Sequence, residues 1–170
     1  MQTYILPKPL FLRSFNGKFE FLNPELIIKG NDNRVNAAAE RLYADFSDKT
    51  ATQNGILEIT FTNGKEEKYS LTINESGIKI TAESAAGAFY GVQTLRQLLM
   101  QSNKLDYTLI HDRPELKFRG FYHDVTRGRI PTVETLKNLV NKLSLYKINV
   151  LQLYVEHSFD FKEYKEINKD

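Results

Sequence analysis

The chain has 170 residues, with 23 Lys plus Arg against 21 Asp plus Glu, a net charge of +2, 41% hydrophobic residues and no cysteine. So even a balance gives no electrostatic footprint for nucleic acid or an anionic membrane, and the lack of thiols removes disulfides, thiolate nucleophiles and cysteine-held zinc. The length exceeds a common single domain of roughly 100–150 residues and falls short of the ~250 of an α/β barrel, and no apolar run reaches the ~20 residues of a membrane span. The start, Met1-Gln2-Thr3-Tyr4, lacks the charged-then-apolar layout of a signal peptide.

In chain order, short β-like runs predict strands over residues 4–6, 19–21, 25–29, 56–62, 68–73, 78–81 and 107–111. A helix is expected over 33–46, where Val35, Ala38, Ala39, Leu42 and Phe46 form one apolar stripe. Asn63-Gly64 has the form of a two-residue hairpin turn and Asn74-Glu75-Ser76-Gly77 that of a second turn. Together they predict a three-stranded antiparallel meander through 56–81, with Leu57, Ile59 and Phe61 on its buried face. A second helix is expected from Ser84 to Met100, burying Phe89, Val92, Leu95 and Leu99. Gly87 and Gly91 lie within it, and each costs a helix about 1 kcal/mol relative to Ala, which close approach to a sheet would offset. Residues 1–112 therefore read as an α+β domain, a two-layer sandwich of a mainly antiparallel sheet with both helices on one face.

After His111-Asp112-Arg113-Pro114 the pattern changes. Residues 118–125 read as a strand, 132–146 as a helix and 148–155 as an almost continuously apolar strand. Thr132 is the expected N-cap, Glu134 favours the helix dipole, and Leu136, Leu139, Val140, Leu143 and Tyr146 make the stripe. Strand, helix, strand in this order is a right-handed parallel βαβ unit. Residues 113–170 are too few for a complete parallel-sheet domain, so they are expected to be the opening unit of a second, incomplete one.

Few residues suggest chemistry by themselves. His111, His123 and His157 are not at metal-ligand spacing, so no metal is expected. Arg127-Gly128-Arg129 is weak evidence for a phosphate contact in a nearly neutral chain. The 11 Phe and 9 Tyr could serve as sugar-stacking faces, but most fall on faces predicted to be buried. Asn74-Glu75-Ser76 has the form of a glycosylation sequon. By spacing alone, Asp124 and Arg127 read as a structural ion pair before they read as a site.

Several motifs, in order, carry a family resemblance. Gly87-Ala88-Phe89-Tyr90-Gly91-Val92-Gln93-Thr94-Leu95-Arg96-Gln97-Leu98 resembles the closing helix of the accessory domain of family-twenty glycoside hydrolases, the β-N-acetylhexosaminidases. Asp112-Arg113-Pro114 with Phe118-Arg119-Gly120 resembles the lead-in to their first barrel strand. Phe121-Tyr122-His123-Asp124-Val125-Thr126-Arg127 is similar to the strand-one motif, and Leu145 to Leu153 to the passage from helix one into strand two.

The resemblance implies that 113–170 is the first βαβ unit of a (β/α) barrel, here a truncated TIM barrel. It implies retaining removal of terminal N-acetylhexosamine from glycans, with the substrate's own 2-acetamido group as nucleophile. The Asp–Glu pair of strand four that assists this chemistry lies beyond Asp170. No catalytic residue is therefore expected in this chain, and the 170-residue piece alone should be inactive. Arg127 is implied to bind sugar hydroxyls, and Asp124 to orient Arg127 or close the strand end. Where family members often carry Thr-Asp-Asp after strand two, this chain has Glu156-His157-Ser158; Glu156 and His157 either line the pocket or begin a solvated loop. No cofactor is implied. The expected partners are the glycan and the rest of the barrel, which the accessory domain would buttress through Phe89 and Tyr90; the exposed unit is also expected to self-associate. Export is suggested by the family alone. The competing reading is a non-catalytic carbohydrate-binding or protein-interaction module derived from the accessory domain.

Overall fold

The computed structural model describes residues 4–156 and 162–164. The chain divides into two compact units, Met1–Glu115 and Leu116–Asp170. No helix among the described residues is long and apolar enough to cross a membrane.

The first unit contains β1 (Phe11–Glu20), β2 (Glu25–Lys29), α1 (Asn33–Phe46), β3 (Ile56–Phe61), β4 (Tyr69–Asn74), β5 (Gly77–Ala82), α2 (Ala85–Leu99) and β6 (Lys104–Asp112). Its six strands form one sheet in the order β1-β6-β4-β5-β3-β2. The pairs β1–β6, β4–β6 and β4–β5 are antiparallel, whereas β2–β3 and β3–β5 are parallel. The sheet is thus mixed: three of its five pairings are antiparallel, as expected for most of the sheet, and the parallel pairs of β3 with β2 and β5 were not expected. The pleat sends alternate residues of each strand inward. Register then aligns Ile110, Leu71, Ile80, Ile59 and Ile28 in one row across five strands. The first four of these are fully buried, and Ile28 packs against the core they form. On the opposite face Lys29 and Lys79 flank Glu58, each at 3.3 Å.

The meander is also corrected. Residues 74–77 do make the β4–β5 hairpin, with Asn74 Oδ1 accepting from the Ser76 N–H at 3.0 Å. Asn63-Gly64 makes no hairpin, because β5 lies between β3 and β4. The connection instead passes the end of β5, where Thr62 Oγ1 donates to the Glu83 carbonyl at 2.9 Å. A Cβ on Gly64 would stand 2.5 Å from that same carbonyl oxygen, so this glycine serves close approach, not a tight turn.

Residues 4–6 form no strand. Their backbone is paired with glutamine side chains of the second helix and its flank: Leu6 N–H donates to Gln97 Oε1 at 2.8 Å, and Gln97 Nε2 returns a bond to the Leu6 carbonyl at 2.7 Å. Gln101 does the same for Tyr4, at 3.0 and 2.6 Å. The strand expected at 19–21 is the end of the ten-residue β1, whose ladder is interrupted between Ser14 and Lys18.

Both helices match their expected spans closely. Asp32 caps α1, accepting from the Arg34 and Val35 N–H groups, and Ser84 caps α2, accepting from the Gly87 N–H. Val35, Ala39 and Leu42 of α1 and Val92, Leu95 and Leu99 of α2 join one hydrophobic cluster with the sheet. The helix glycines do permit close packing: a Cβ on Gly87 would lie 2.5 Å from the Lys68 carbonyl oxygen, and one on Gly91 2.6 Å from Ile80 Cγ2. Tyr90 is buried in this core and Phe89 packs against it.

The second unit contains β7 (Gly120–Asp124), α3 (Val133–Leu145) and β8 (Val150–Tyr154), with β7 and β8 parallel and in register from Gly120↔Val150 to Asp124↔Tyr154. Thr132 caps α3 as expected, accepting from the Thr135 N–H at 3.2 Å. At the other end Lys147, with φ of 61°, holds the left-handed position that closes a helix. Lys147 and Ile148 donate to the Ser144 and Leu143 carbonyls, both at 3.0 Å. The strand starts are tied together too: Arg119 N–H donates to Asn149 Oδ1 at 2.9 Å, and Asn149 N–H to the Arg119 carbonyl at 3.1 Å. No residue of α3, β7 or β8 is fully buried; Leu136, Leu139 and Leu143 are half-buried and Val140 is exposed.

Candidate functional site

The parallel ladder brings Asp124, at the end of β7, opposite Tyr154, at the end of β8. Just beyond Asp124 the chain turns back on its carboxylate. Asp124 Oδ1 accepts from the Thr126 N–H at 2.9 Å and the Arg127 N–H at 3.0 Å, while Oδ2 accepts from Arg127 Nε at 2.6 Å. These three bonds, those from the two backbone amides foremost, lower the Asp124 pKa to about 2. The same carboxylate holds the guanidinium firmly protonated.

From the other strand, the Tyr154 ring lies under Arg127, with the guanidinium carbon 5.0 Å from the ring centroid. The Tyr154 hydroxyl donates to Glu156 Oε1 at 2.8 Å, and this bond, together with burial and the charge of Glu156, raises the phenol pKa. Glu156 Oε1 stands 3.9 Å from Arg127 Nε. Thr126 stitches the two ends: the Glu156 N–H donates to its hydroxyl at 3.0 Å, and that hydroxyl donates to the Tyr154 carbonyl at 3.3 Å.

Three of the four residues expected to bind substrate, Arg127, Asp124 and Glu156, therefore converge; His157 lies outside the described residues. Asp124 and Arg127 form the ion pair that their spacing allows, which restrains the guanidinium at Nε. The sequence reading missed Tyr154 and Thr126. Tyr154 sits in an apolar run whose parity is legible only once the strand is registered on Asp124. His123 is not in the cluster; its ring stacks on Phe121 at 6.2 Å. Among the described residues no three His, Asp or Glu side chains converge as a cation would require. The guanidinium, with one edge committed to Asp124, can offer its Nη edge to two neighbouring acceptors.

The chain thus joins an α+β domain with a mixed sheet to a parallel strand-helix-strand unit that carries a polar cluster at its strand ends. Residues 2–113 match the model for glycosyl hydrolase family 20, domain 2, and the chain belongs to that family. It is 34% identical over 129 residues, 69% of its length, to a β-hexosaminidase subunit β of Entamoeba histolytica, and covers 23% of that protein. It is 28% identical over 171 aligned positions, 89% of its length, to a β-N-acetylhexosaminidase of Cellulomonas fimi, covering 34% of it. An inactive mutant of a family-20 exo-β-N-acetylglucosaminidase from Vibrio harveyi superposes with a TM-score of 0.74 at 27% identity, over 88% of this chain and 25% of that one. The chain thus spans about a quarter to a third of the length of these three proteins.

Proposed function

We propose that this chain is the N-terminal part of a retaining, substrate-assisted β-N-acetylhexosaminidase that removes terminal N-acetylhexosamine from glycans. Residues 1–112 are its accessory α+β domain, a two-layer sandwich that makes no bonds to substrate. Residues 113–170 are the first βαβ unit of the catalytic (β/α) barrel. Support comes from family membership and from the names of relatives that match along most of the chain. The single observation that carries the site is the convergence of Asp124, Arg127, Tyr154 and Glu156 at the carboxyl ends of two parallel strands.

Arg127 binds adjacent hydroxyls of the terminal sugar and Asp124 fixes its direction. The 2-acetamido oxygen of the substrate attacks the anomeric carbon as the glycosidic bond breaks; of an Asp–Glu pair on a later strand, the Glu protonates the departing oxygen and the Asp orients the acetamido group, and water then opens the cyclic intermediate with the Glu taking up its proton. The sequence contains no Asp-Glu dipeptide, so the chain by itself has no hydrolytic activity. A two-stranded sheet and a helix without a buried residue do not make a stable core. Further β/α units cover them in the whole enzyme, and without that cover the exposed faces drive self-association. The test is hydrolysis of p-nitrophenyl N-acetyl-β-glucosaminide by the protein whose reading frame continues past Asp170, and by residues 1–170 alone. A reading frame that ends without further β/α units would instead indicate a non-catalytic module.

A further inference from the structure

We infer that Tyr154 and Glu156 are positioning residues for Arg127, and that the set they complete selects neutral terminal sugars over sugars with an anionic substituent on the hydroxyls Arg127 reads. The inference rests on the preceding reading of this cluster as a sugar pocket.

Arg127 is a long side chain, 64% exposed, on a turn. Left to itself it would sample many rotamers, a freedom of ~2 kcal/mol. Asp124 holds it at one atom only, Nε. The Tyr154 ring supplies a second restraint, with the guanidinium carbon 5.0 Å from its centroid. Glu156 is fixed in turn by the Tyr154 hydroxyl and by its own N–H on Thr126. Among the described residues no acceptor takes either Nη of Arg127, so these restraints leave that edge to a ligand.

The charge arrangement sets what the edge accepts. Asp124 Oδ2 and Glu156 Oε1 both face Nε, at 2.6 and 3.9 Å, so two carboxylates meet one guanidinium, a formal excess of one negative charge. A hydroxyl can accept from Nη and adds no charge to the cluster. A sulfate or carboxylate cannot donate and meets the two carboxylates as a like charge. With C1 in the glycosidic bond and C2 carrying the acetamido group, the vicinal hydroxyls left on the ring are those at C3 and C4.

The experiment uses the full-length enzyme, with KM and kcat on p-nitrophenyl N-acetyl-β-glucosaminide and inhibition constants for N-acetylglucosamine and its 4-O-sulfate. Tyr154→Leu is expected to raise KM about tenfold with kcat within about threefold of wild type. Glu156→Gln, which keeps size and removes charge, is expected to reduce discrimination against the sulfate at least about tenfold, and Tyr154→Phe, which frees Glu156, to raise KM less than Tyr154→Leu. Unchanged KM in Tyr154→Leu, or an unchanged inhibition ratio in Glu156→Gln, overturns the inference. If Tyr154→Leu does not fold, Glu156→Gln decides through the ratio alone. A wild-type enzyme that neither cleaves the substrate nor binds N-acetylglucosamine would instead refute the pocket itself, and the inference with it.

Discussion

Gly87→Ala sets two physical effects against each other in α2. Helix propensity favours alanine by about 1 kcal/mol, and the unfolded chain loses entropy in the same direction. The structure opposes this gain. An added Cβ would stand 2.5 Å from the Lys68 carbonyl oxygen and 3.2 Å from the carbonyl carbons of Glu67 and Lys68. Those atoms are backbone and cannot swing aside. Their segment is held on one side by Ser84 Oγ donating to the Glu66 carbonyl at 2.7 Å and on the other by Tyr69 entering β4. Overpacking costs about 1–3 kcal/mol, and a clash with fixed backbone belongs in the upper part of that range. Subtracting the propensity gain leaves an expected loss of about 1–2 kcal/mol. With no Trp in the chain, far-UV circular dichroism is the suitable probe of urea unfolding. For a slope of about 2 kcal/mol per molar, the midpoint should fall by about 0.5–1 M. A midpoint that rises would show that propensity wins, and would refute the close contact between α2 and the start of β4.

Three further outcomes are expected. Asp32→Ala removes the α1 cap and should cost about 1 kcal/mol in the same assay, with an unchanged midpoint counting against the cap. Tyr69→Phe deletes a buried hydroxyl that bonds Thr94 Oγ1 at 2.6 Å and Asp112 Oδ2 at 3.0 Å, and should cost about 1–3 kcal/mol; loss below about 0.5 kcal/mol would contradict that role. Asp124 has a folded pKa of about 2, below its unfolded value of about 3.9, so its turn should be intact above about pH 4 and be lost as pH falls through about 2. Carboxyl-carbon NMR titration reads this directly, and a midpoint near 4 would mean that the bonds to Thr126 and Arg127 do not form in solution.

The helices were legible because capping residues and apolar spacing agree: Asp32 and Ser84 cap where the stripes of α1 and α2 begin. The β4–β5 hairpin was legible for a similar local reason. Strand order was not, since Asn63-Gly64 between two β-like runs looks the same whether the runs pair or β5 lies between them. The parallel β2–β3 pair could have been inferred from strand, helix, strand at 25–61, the pattern that identified β7, α3 and β8. Residues 11–18 were missed because β1 is an edge strand, exposed for eight residues and interrupted after Ser14, so it lacks the alternation of a half-buried strand. At the site, Asp124 and Arg127 follow from a local motif, whereas Tyr154 joins them only through register across 30 residues of intervening chain.

Binding of the terminal sugar by Arg127, at the end of β7, is the step on which the proposed hexosaminidase function stands. Its most direct measurement is kcat/KM on p-nitrophenyl N-acetyl-β-glucosaminide for the full-length protein and its Arg127→Ala variant. Turnover by the full-length protein is expected, with a loss of at least about 100-fold in kcat/KM in the variant, the scale of a charged hydrogen-bonded contact, and no turnover by residues 1–170. Wild-type kinetics in Arg127→Ala, or turnover by the 170-residue chain alone, would contradict it.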